Sequence, residues 1–254
     1  ISFVLIRIGL SVEVRLSING LSVSERPFLD HLQQWPPHLS WTLESDSSNP
    51  ANDDPLFTSG YNVSLNGRSI GGCTGCEGVT SHVLPSKMSS DTTYTVSLDI
   101  TLTNGQVLRE TGSFRTAFLS PATDWGNATW IGGGTLLKRT LPTRATKLVN
   151  ATAYASGVGC FAMRIGGQLI SDSFMDPGWQ TLPTVRVAYR AFDVTSLMAA
   201  QTGNATELTV ALGMCKYGYQ DSFCIGGHAA NGACKAFLLS LRMAYEDGFV
   251  TTVE

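Results

Sequence analysis

The feature that most constrains the fold is a series of short runs in which β-branched or aromatic residues alternate with polar ones. The clearest runs cover residues 12–18, 94–102 and 208–212. This period of two predicts half-buried β-strands. Asn-Gly pairs at 19–20, 66–67 and 104–105 predict tight turns, because both residue types accept positive φ. The sequence therefore predicts an all-β protein, and its best helical candidate, residues 194–201, is one or two turns long.

The length of 254 residues suits two domains, at roughly 100–200 residues each. Segment 118–125 follows a full set of strand-like runs and contains Pro and small polar residues, so we place the domain boundary there. Residues 11–119 are predicted to form an immunoglobulin- or fibronectin-III-like sandwich, and residues 120–254 a jelly-roll-type β-sandwich. Residues 45–55 and 71–77 are predicted to be surface loops, because they are polar or rich in Gly and Cys.

Composition excludes some function classes and favours a compartment. The net charge is −3 and the 17 Lys and Arg residues are scattered, so no basic surface for nucleic acid is predicted. No apolar run approaches the roughly 20 residues that a membrane span needs. Six cysteines, four N-glycosylation motifs and a charged fraction of only 15% favour a secreted, extracellular, disulfide-bonded glycoprotein.

The modification sites follow from two short motifs. The predicted N-glycosylation sites are Asn62, Asn127, Asn150 and Asn204. The spacing of Cys73 and Cys76 is also that of a redox or zinc half-site, but a structural disulfide is predicted because the chain lacks a βαβ setting and a second regular pair. The remaining cysteines are Cys160, Cys215, Cys224 and Cys234, which allow three connectivities that sequence alone does not separate.

A set of short motifs in sequence order adds a resemblance. In the first half they are Pro37-His-Leu-Ser-Trp41, Phe57-Thr-Ser-Gly60, Thr93-Tyr-Thr-Val96 and Gly112-Ser-Phe-Arg-Thr116; in the second they include Asp124-Trp125, Trp130-Ile-Gly132, Asp176-Pro-Gly-Trp179 and Phe192-Asp-Val-Thr195. Their order is similar to the N-terminal ancillary region of family 78 α-L-rhamnosidases. The resemblance implies a fibronectin-like domain followed by a sandwich related to a rhamnose-binding, calcium-dependent module. It covers no counterpart of the family's catalytic helical barrel, which implies a non-catalytic protein.

Sugar binding by a β-sandwich commonly uses an aromatic face flanked by polar side chains. The candidates in two loops are Asp176, Trp179, Arg186, Tyr217, Tyr219 and Asp221. The alternative is that Trp179 lies in the core and Asp176 caps a turn. The resemblance implies calcium as a cofactor and glycans as partners, but no contiguous oxygen-rich loop of the EF-hand kind occurs, so metal ligands stay unknown.

No residues point to catalysis. Glycoside hydrolysis needs two converging carboxyl groups, and the adjacent pairs at 53–54 and 246–247 are predicted to be solvated turns. The histidines are dispersed and predicted to lie at the surface; they are His31, His38, His82 and His228. The tryptophans Trp41, Trp125 and Trp130 are predicted to lie in a core or between domains.

The apolar N-terminal segment, residues 1–10, is a strong β-former that must be covered. It is predicted to add an edge strand to its own domain or to be donated to a neighbouring copy, which would build a homopolymer. Three hypotheses follow: a non-catalytic secreted glycoprotein associated with extracellular carbohydrate, a subunit of an extracellular filament assembled through residues 1–10, and a fragment of a full-length rhamnosidase.

Overall fold

The computed structural model describes residues 12–18, 21–22, 28–29, 36–45, 57–132, 134–142, 144–173, 176–177, 188–201, 205–213 and 235–254. The chain divides into two compact units, residues 1–124 (unit 1) and residues 125–254 (unit 2). The predicted extension strand at 1–10, the turn at 19–20 and Asn204 lie outside the described residues, so they stay predictions.

Unit 1 contains two sheets. Its strands are β1 (Val12–Ile18), β2 (Leu21–Ser22), β3 (Phe28–Leu29), β4 (His38–Ser45), β5 (Thr58–Leu65), β6 (Arg68–Thr74), β7 (Ser81–Val83), β8 (Thr93–Leu102) and β9 (Val107–Thr116). One sheet has the order β2-β1-β4-β7 and the other β3-β9-β8-β5-β6. Every pair is antiparallel except β3 with β9.

The core of unit 1 lies between these sheets. Leu39 and Trp41 of β4 face Val96, Leu98 and Ile100 of β8, and each is at most 2% exposed. The three β8 residues alternate with more exposed neighbours, as the period of two predicts. Trp41 is therefore a core residue, as the sequence analysis predicted.

The β5–β6 hairpin confirms one predicted turn and corrects one predicted loop. Asn66 and Gly67 have φ of 50° and 77°, the positive values that a two-residue hairpin favours. The glycines at 71–72, predicted to be in a loop, instead lie in β6 and pair with β5. A Cβ on Gly72 would come within 2.5 Å of the Tyr61 carbonyl oxygen, so Gly permits this close approach. The Cys73–Cys76 disulfide spans the end of β6.

His82, predicted to lie at the surface, is half-buried at one edge of the unit 1 sandwich. It lies on β7, the edge of one sheet, and a Cβ on Gly71 of β6, the edge of the other sheet, would be 2.5 Å from its Cε1. Its Nδ1 is 3.2 Å from the Tyr61 hydroxyl oxygen. Burial lowers the pKa of His82 from its usual 6.5. The sequence gives no sign of this contact, because it depends on how the sheets meet.

The predicted boundary segment is ordered. Phe118 is 0% exposed, and a short helix, α1 (Pro121–Asp124), follows it. The Asp124 carboxylate accepts hydrogen bonds from the Ser120 backbone N–H (2.7 Å) and the Ser90 hydroxyl (2.6 Å). These bonds fix the end of unit 1 to its own body.

Unit 2 also contains two sheets. Its strands are β10 (Ile131–Gly132), β11 (Leu136–Pro142), β12 (Leu148–Val158), β13 (Cys160–Ile165), β14 (Gln168–Leu169), β15 (Tyr189–Asp193), β16 (Ala205–Gly213), β17 (Ala236–Tyr245) and β18 (Val250–Val253). One sheet has the order β10-β17-β12-β15, with β18 also pairing with β17, and the other β11-β16-β13-β14. A short helix, α2 (Thr195–Ala199), falls within the predicted helical segment.

The core of unit 2 lies between its sheets. Small residues of β12, Ala153 and Ala155, face a layer that includes Met163 of β13 and Val210 of β16, and all four are at most 1% exposed. The all-β class and the sandwich architecture are therefore confirmed. The described residues form two helices, α1 and α2, and neither is long and apolar enough to cross a membrane.

Candidate functional site

The candidate site lies where β15 forms one edge of unit 2. Arg190 of β15 pairs with Ala155 of β12, and Phe192 pairs with Ala153. Residues two apart on a strand share a face, so Arg190 and Phe192 both project towards the side that carries the core. Phe192 is buried at 7% exposure, whereas the Arg190 side chain is 43% exposed. Arg190 thus stands at the margin of the core, in contact with solvent.

Asp176 approaches Arg190 from the opposite sheet. Its carbonyl oxygen accepts a hydrogen bond from the backbone N–H of Phe161 of β13 (2.9 Å), and the following peptide bond to Pro177 is cis. Its carboxylate accepts a hydrogen bond from Nη1 of Arg190 and is only 4% exposed. The ion pair therefore links the two sheets at this edge. We call Phe161, Asp176, Arg190 and Phe192 the edge site.

Packing beneath the edge site holds it in place. The Phe161 ring meets the Phe237 ring edge to face, with centroids 5.0 Å apart. A Cβ on Gly157 would lie 2.9 Å from Cδ1 of Phe161, so the glycine makes room for the ring. The Arg190 guanidinium carbon lies 5.3 Å from the centroid of the Phe192 ring. The guanidinium is thus held by a carboxylate and an aromatic ring.

This arrangement favours recognition of neutral or anionic oxygen atoms. A guanidinium has five N–H donors in a fixed plane, and the bond to Asp176 leaves others on the exposed part of Arg190. The Asp176 carboxylate is nearly closed to solvent, and its contact with Nη1 holds the Arg190 guanidinium in position. Sugar hydroxyl groups are acceptors that such donors suit.

The described residues do not fit the calcium ion that the resemblance implies. Within the described ranges, no three His, Cys, Asp or Glu side chains are grouped so that they could hold a metal ion. The acidic residue of the edge site, Asp176, is already neutralised by Arg190. We therefore derive no role for a metal from this site.

An aromatic group lies on the other face of the same sheet. Tyr189 contacts Trp125 at 5.7 Å and Tyr154 at 6.4 Å between ring centroids. The Arg242 guanidinium carbon is 5.9 Å from the Tyr154 centroid, and Tyr154 is fully buried. Because Tyr189 and Arg190 are adjacent on β15, they point to opposite faces. These rings therefore do not join the edge site.

Most of the predicted sugar-binding residues are outside the described part of the chain. They are Trp179, Arg186, Tyr217, Tyr219 and Asp221. Asp176 is described, and Arg190 and Phe192 join it although sequence reasoning did not select them. The available signal was an arginine two residues before an aromatic residue on one strand.

The adjacent acids Glu246 and Asp247 lie in the β17–β18 turn, as predicted. Lys147 pairs with Glu246 at 2.6 Å and Arg144 with Asp247 at 2.9 Å. A hydrogen bond from the backbone N–H of Phe249, together with the contact to Arg144, lowers the pKa of Asp247. A general acid for glycoside hydrolysis needs a raised pKa, which Asp247 lacks, and each of the two acids pairs with a neighbouring cation in the turn.

The cysteines outside unit 1 are described only in part. Cys160 is disulfide-bonded, and the other members of its predicted set, Cys215, Cys224 and Cys234, are outside the described residues. The pairing among these four stays a prediction.

A family model matches part of the chain. Residues 146–254 match the α-L-rhamnosidase N-terminal domain, and this range lies within unit 2. It contains every residue of the edge site. The predicted resemblance to the N-terminal region of rhamnosidases is confirmed. A search of curated protein sequences finds no match.

Solved structures share the fold along most of the chain. An α-L-rhamnosidase from Dictyoglumus thermophilum matches with a TM-score of 0.70 and 18% identity, over 94% of this chain and 28% of that chain. One from Aspergillus terreus matches with a TM-score of 0.65 and 18% identity, over 96% of this chain and 28% of that chain.

A third α-L-rhamnosidase, from Streptomyces avermitilis and complexed with L-rhamnose, matches with a TM-score of 0.72 and 12% identity, over 96% of this chain and 40% of that chain. The chain therefore spans well under half the length of these three enzymes. At such identities the likeness establishes the fold.

Proposed function

We propose that this chain, whose residues 146–254 match the α-L-rhamnosidase N-terminal domain, is a non-catalytic, secreted glycoprotein that binds extracellular carbohydrate through unit 2. The observation that carries the proposal is this match, because it covers most of unit 2 and includes the edge site. The modest charge and the Cys73–Cys76 disulfide support an extracellular setting, since disulfides persist in oxidising compartments.

The edge site supplies the chemistry for the proposed binding. Arg190 offers N–H donors to sugar hydroxyl groups, and its contacts with Asp176 and Phe192 fix its orientation before a ligand arrives. Preorganisation of this kind reduces the entropy lost on binding. The Streptomyces avermitilis enzyme was solved with L-rhamnose, so L-rhamnose is the first ligand to test.

The lack of catalysis is proposed from the same match. The matched family domain is the N-terminal one of rhamnosidases. In the described residues the two carboxyl groups with a displaced pKa, Asp99 and Asp247, are both lowered, Asp99 by its hydrogen bond from Arg109. Lowered values suit ion pairs, whereas the acid of a glycosidase needs the opposite displacement.

The direct test is calorimetric titration of the full chain with L-rhamnose, followed by a glycan array. Wild-type protein is expected to bind, and Arg190→Gln to bind at least about tenfold more weakly, because a hydrogen bond from a charged group contributes about 1.5–3 kcal/mol. Arg109→Gln is the matched control, since it breaks an Asp–Arg pair in unit 1. Arg190→Lys keeps the charge and tests whether the donor geometry matters.

Two results would overturn the proposal. Absence of wild-type binding to every sugar on the array removes the carbohydrate role, and turnover of an aryl rhamnoside by the purified chain removes the non-catalytic one. Fractionation of the source cells and their medium tests secretion separately.

A further inference from the structure

Unit 2 has three identical Asn-Ala-Thr tripeptides, and the two that the structure describes in full lie in different surroundings. Asn127-Ala-Thr129 and Asn150-Ala-Thr152 are both N-glycosylation motifs, so the sequence does not distinguish them. The fold distinguishes them. A comparison of the two sites therefore tests the effect of structure on modification, because their motifs are the same.

Asn127 lies in an exposed turn. The backbone N–H of Ala128 donates to the Trp125 carbonyl oxygen (3.1 Å), and Gly126 within the turn has φ of 62°. The backbone N–H of Asn127 donates to Oε2 of Glu254 (3.0 Å). The turn is thereby anchored through its backbone. The Asn127 side chain is exposed, and its amide makes no hydrogen bond to the described residues.

Asn150 lies on β12, which has strands on both sides. Its side chain is half-buried, and its Oδ1 accepts a hydrogen bond from the Thr152 hydroxyl (3.2 Å). Thr152 and Tyr154 follow on the same face of β12, and both are 0% exposed. This face is therefore fully covered from Thr152 onward.

We propose that Asn127 carries an N-linked glycan in the folded protein and that Asn150 is unmodified. The modification forms a bond from the amide Nδ2 to the anomeric carbon of an oligosaccharide and breaks that carbon's bond to the lipid diphosphate that donates it. The amide loses a proton and the lipid diphosphate leaves. The proposal rests on the proposed secretion through a compartment that holds this donor.

The cover over Thr152 is the physical reason for the difference. An N-glycan is large and hydrated, so it suits a surface position. A glycan on Asn150 would need the space above Thr152, the next residue on the same face of β12. If the glycan took that space, Thr152 and Tyr154 would become exposed and the stabilisation from their burial would be lost. Chains with a glycan on Asn150 are thus selected against among folded, secreted molecules.

The test uses the full chain, secreted by a eukaryotic host behind a cleavable leader. Enzymatic deglycosylation in heavy-oxygen water converts each glycosylated Asn to labelled Asp, which peptide mass spectrometry locates. The expected result is labelled Asp at 127 and unlabelled Asn at 150. Label at 150, or none at 127, overturns the proposal.

Variants provide a second readout. Asn127→Gln and Thr129→Ala are each expected to remove the mass of one glycan, and Asn150→Gln to leave the intact mass unchanged apart from the substitution. If Asn150→Gln is not secreted, the wild-type peptide map still decides. Because the leader imposes secretion, this result does not depend on the natural compartment or on sugar binding, so it can fail independently of the proposed function.

Discussion

The two partners of the edge-site ion pair are expected to contribute unequally to stability. Arg190→Ala leaves the Asp176 carboxylate, which is 4% exposed, without its cation. Breaking a fully buried pair costs about 3–5 kcal/mol, and because Arg190 is itself 43% exposed the lower end of this range, about 3 kcal/mol, is expected here. Asp176→Asn leaves a guanidinium that is 43% exposed and that water can solvate, so the loss is about 1–3 kcal/mol.

Urea unfolding measures both losses. Each variant is compared with wild type at constant slope, because a change of slope would signal a different unfolded state. Hydrogen exchange of unit 2 peptides assigns the loss to this unit. The double variant Arg190→Ala/Asp176→Asn is expected to be more stable than Arg190→Ala alone, since neither charge remains buried.

The matched control is the Arg109–Asp99 pair of unit 1, whose side chains are 73% and 29% exposed. Removing either partner there is expected to leave the urea midpoint nearly unchanged, because exposed ion pairs contribute little to stability. Equal losses from Arg190→Ala and Asp176→Asn, or a larger loss from Asp176→Asn, would show that burial of the carboxylate does not set the asymmetry.

Three further predictions concern His82, Gly157 and the Cys73–Cys76 disulfide. Because burial lowers the pKa of His82, the unfolded chain binds a proton more readily, so unit 1 is expected to lose stability as pH falls below about 6.5, and His82→Gln to remove this dependence in pH-resolved thermal melts. Gly157→Ala is expected to cost about 1–3 kcal/mol, because its Cβ would lie 2.9 Å from Phe161; an unchanged melting temperature would contradict this. Replacing Cys73 and Cys76 together by Ala is expected to lower the free energy of unfolding in urea by about 2 kcal/mol or less, because the disulfide closes a short loop. A loss of about 4 kcal/mol or more would contradict this.

Local chemistry explains which parts of the fold were predictable from sequence. The strand at 12–18 and the turn at 66–67 follow from alternation and from residues that accept positive φ, and both are present. The glycines at 71–72 were assigned to a loop because Gly usually interrupts strands. They instead lie in β6 and allow Tyr61 and His82 to approach it closely. The sequence does not show this approach, because both neighbours come from other strands.

The candidate site was predictable only in part for the same reason. Asp176 was selected from a short motif, but its partner Arg190 comes from the opposite sheet. Pairing across sheets depends on strand order, which the alternation pattern does not encode. The motif also did not indicate that the carboxylate is closed to solvent, so in the proposed binding site Asp176 would hold Arg190 in position and would not contact the ligand itself.

The two sandwiches meet a common problem in different ways. In each sandwich the two sheets separate at an edge. A side chain at that edge fills the gap between the sheets and makes hydrogen bonds to polar groups there. In unit 1 the imidazole of His82 lies against Gly71, and its Nδ1 contacts the Tyr61 hydroxyl group. In unit 2 the bridge ends in a guanidinium with donors on its exposed side. Because a guanidinium has five N–H donors and Arg190 is 43% exposed, the edge of unit 2 offers several donors to a ligand, whereas the edge of unit 1 offers at most one ring nitrogen.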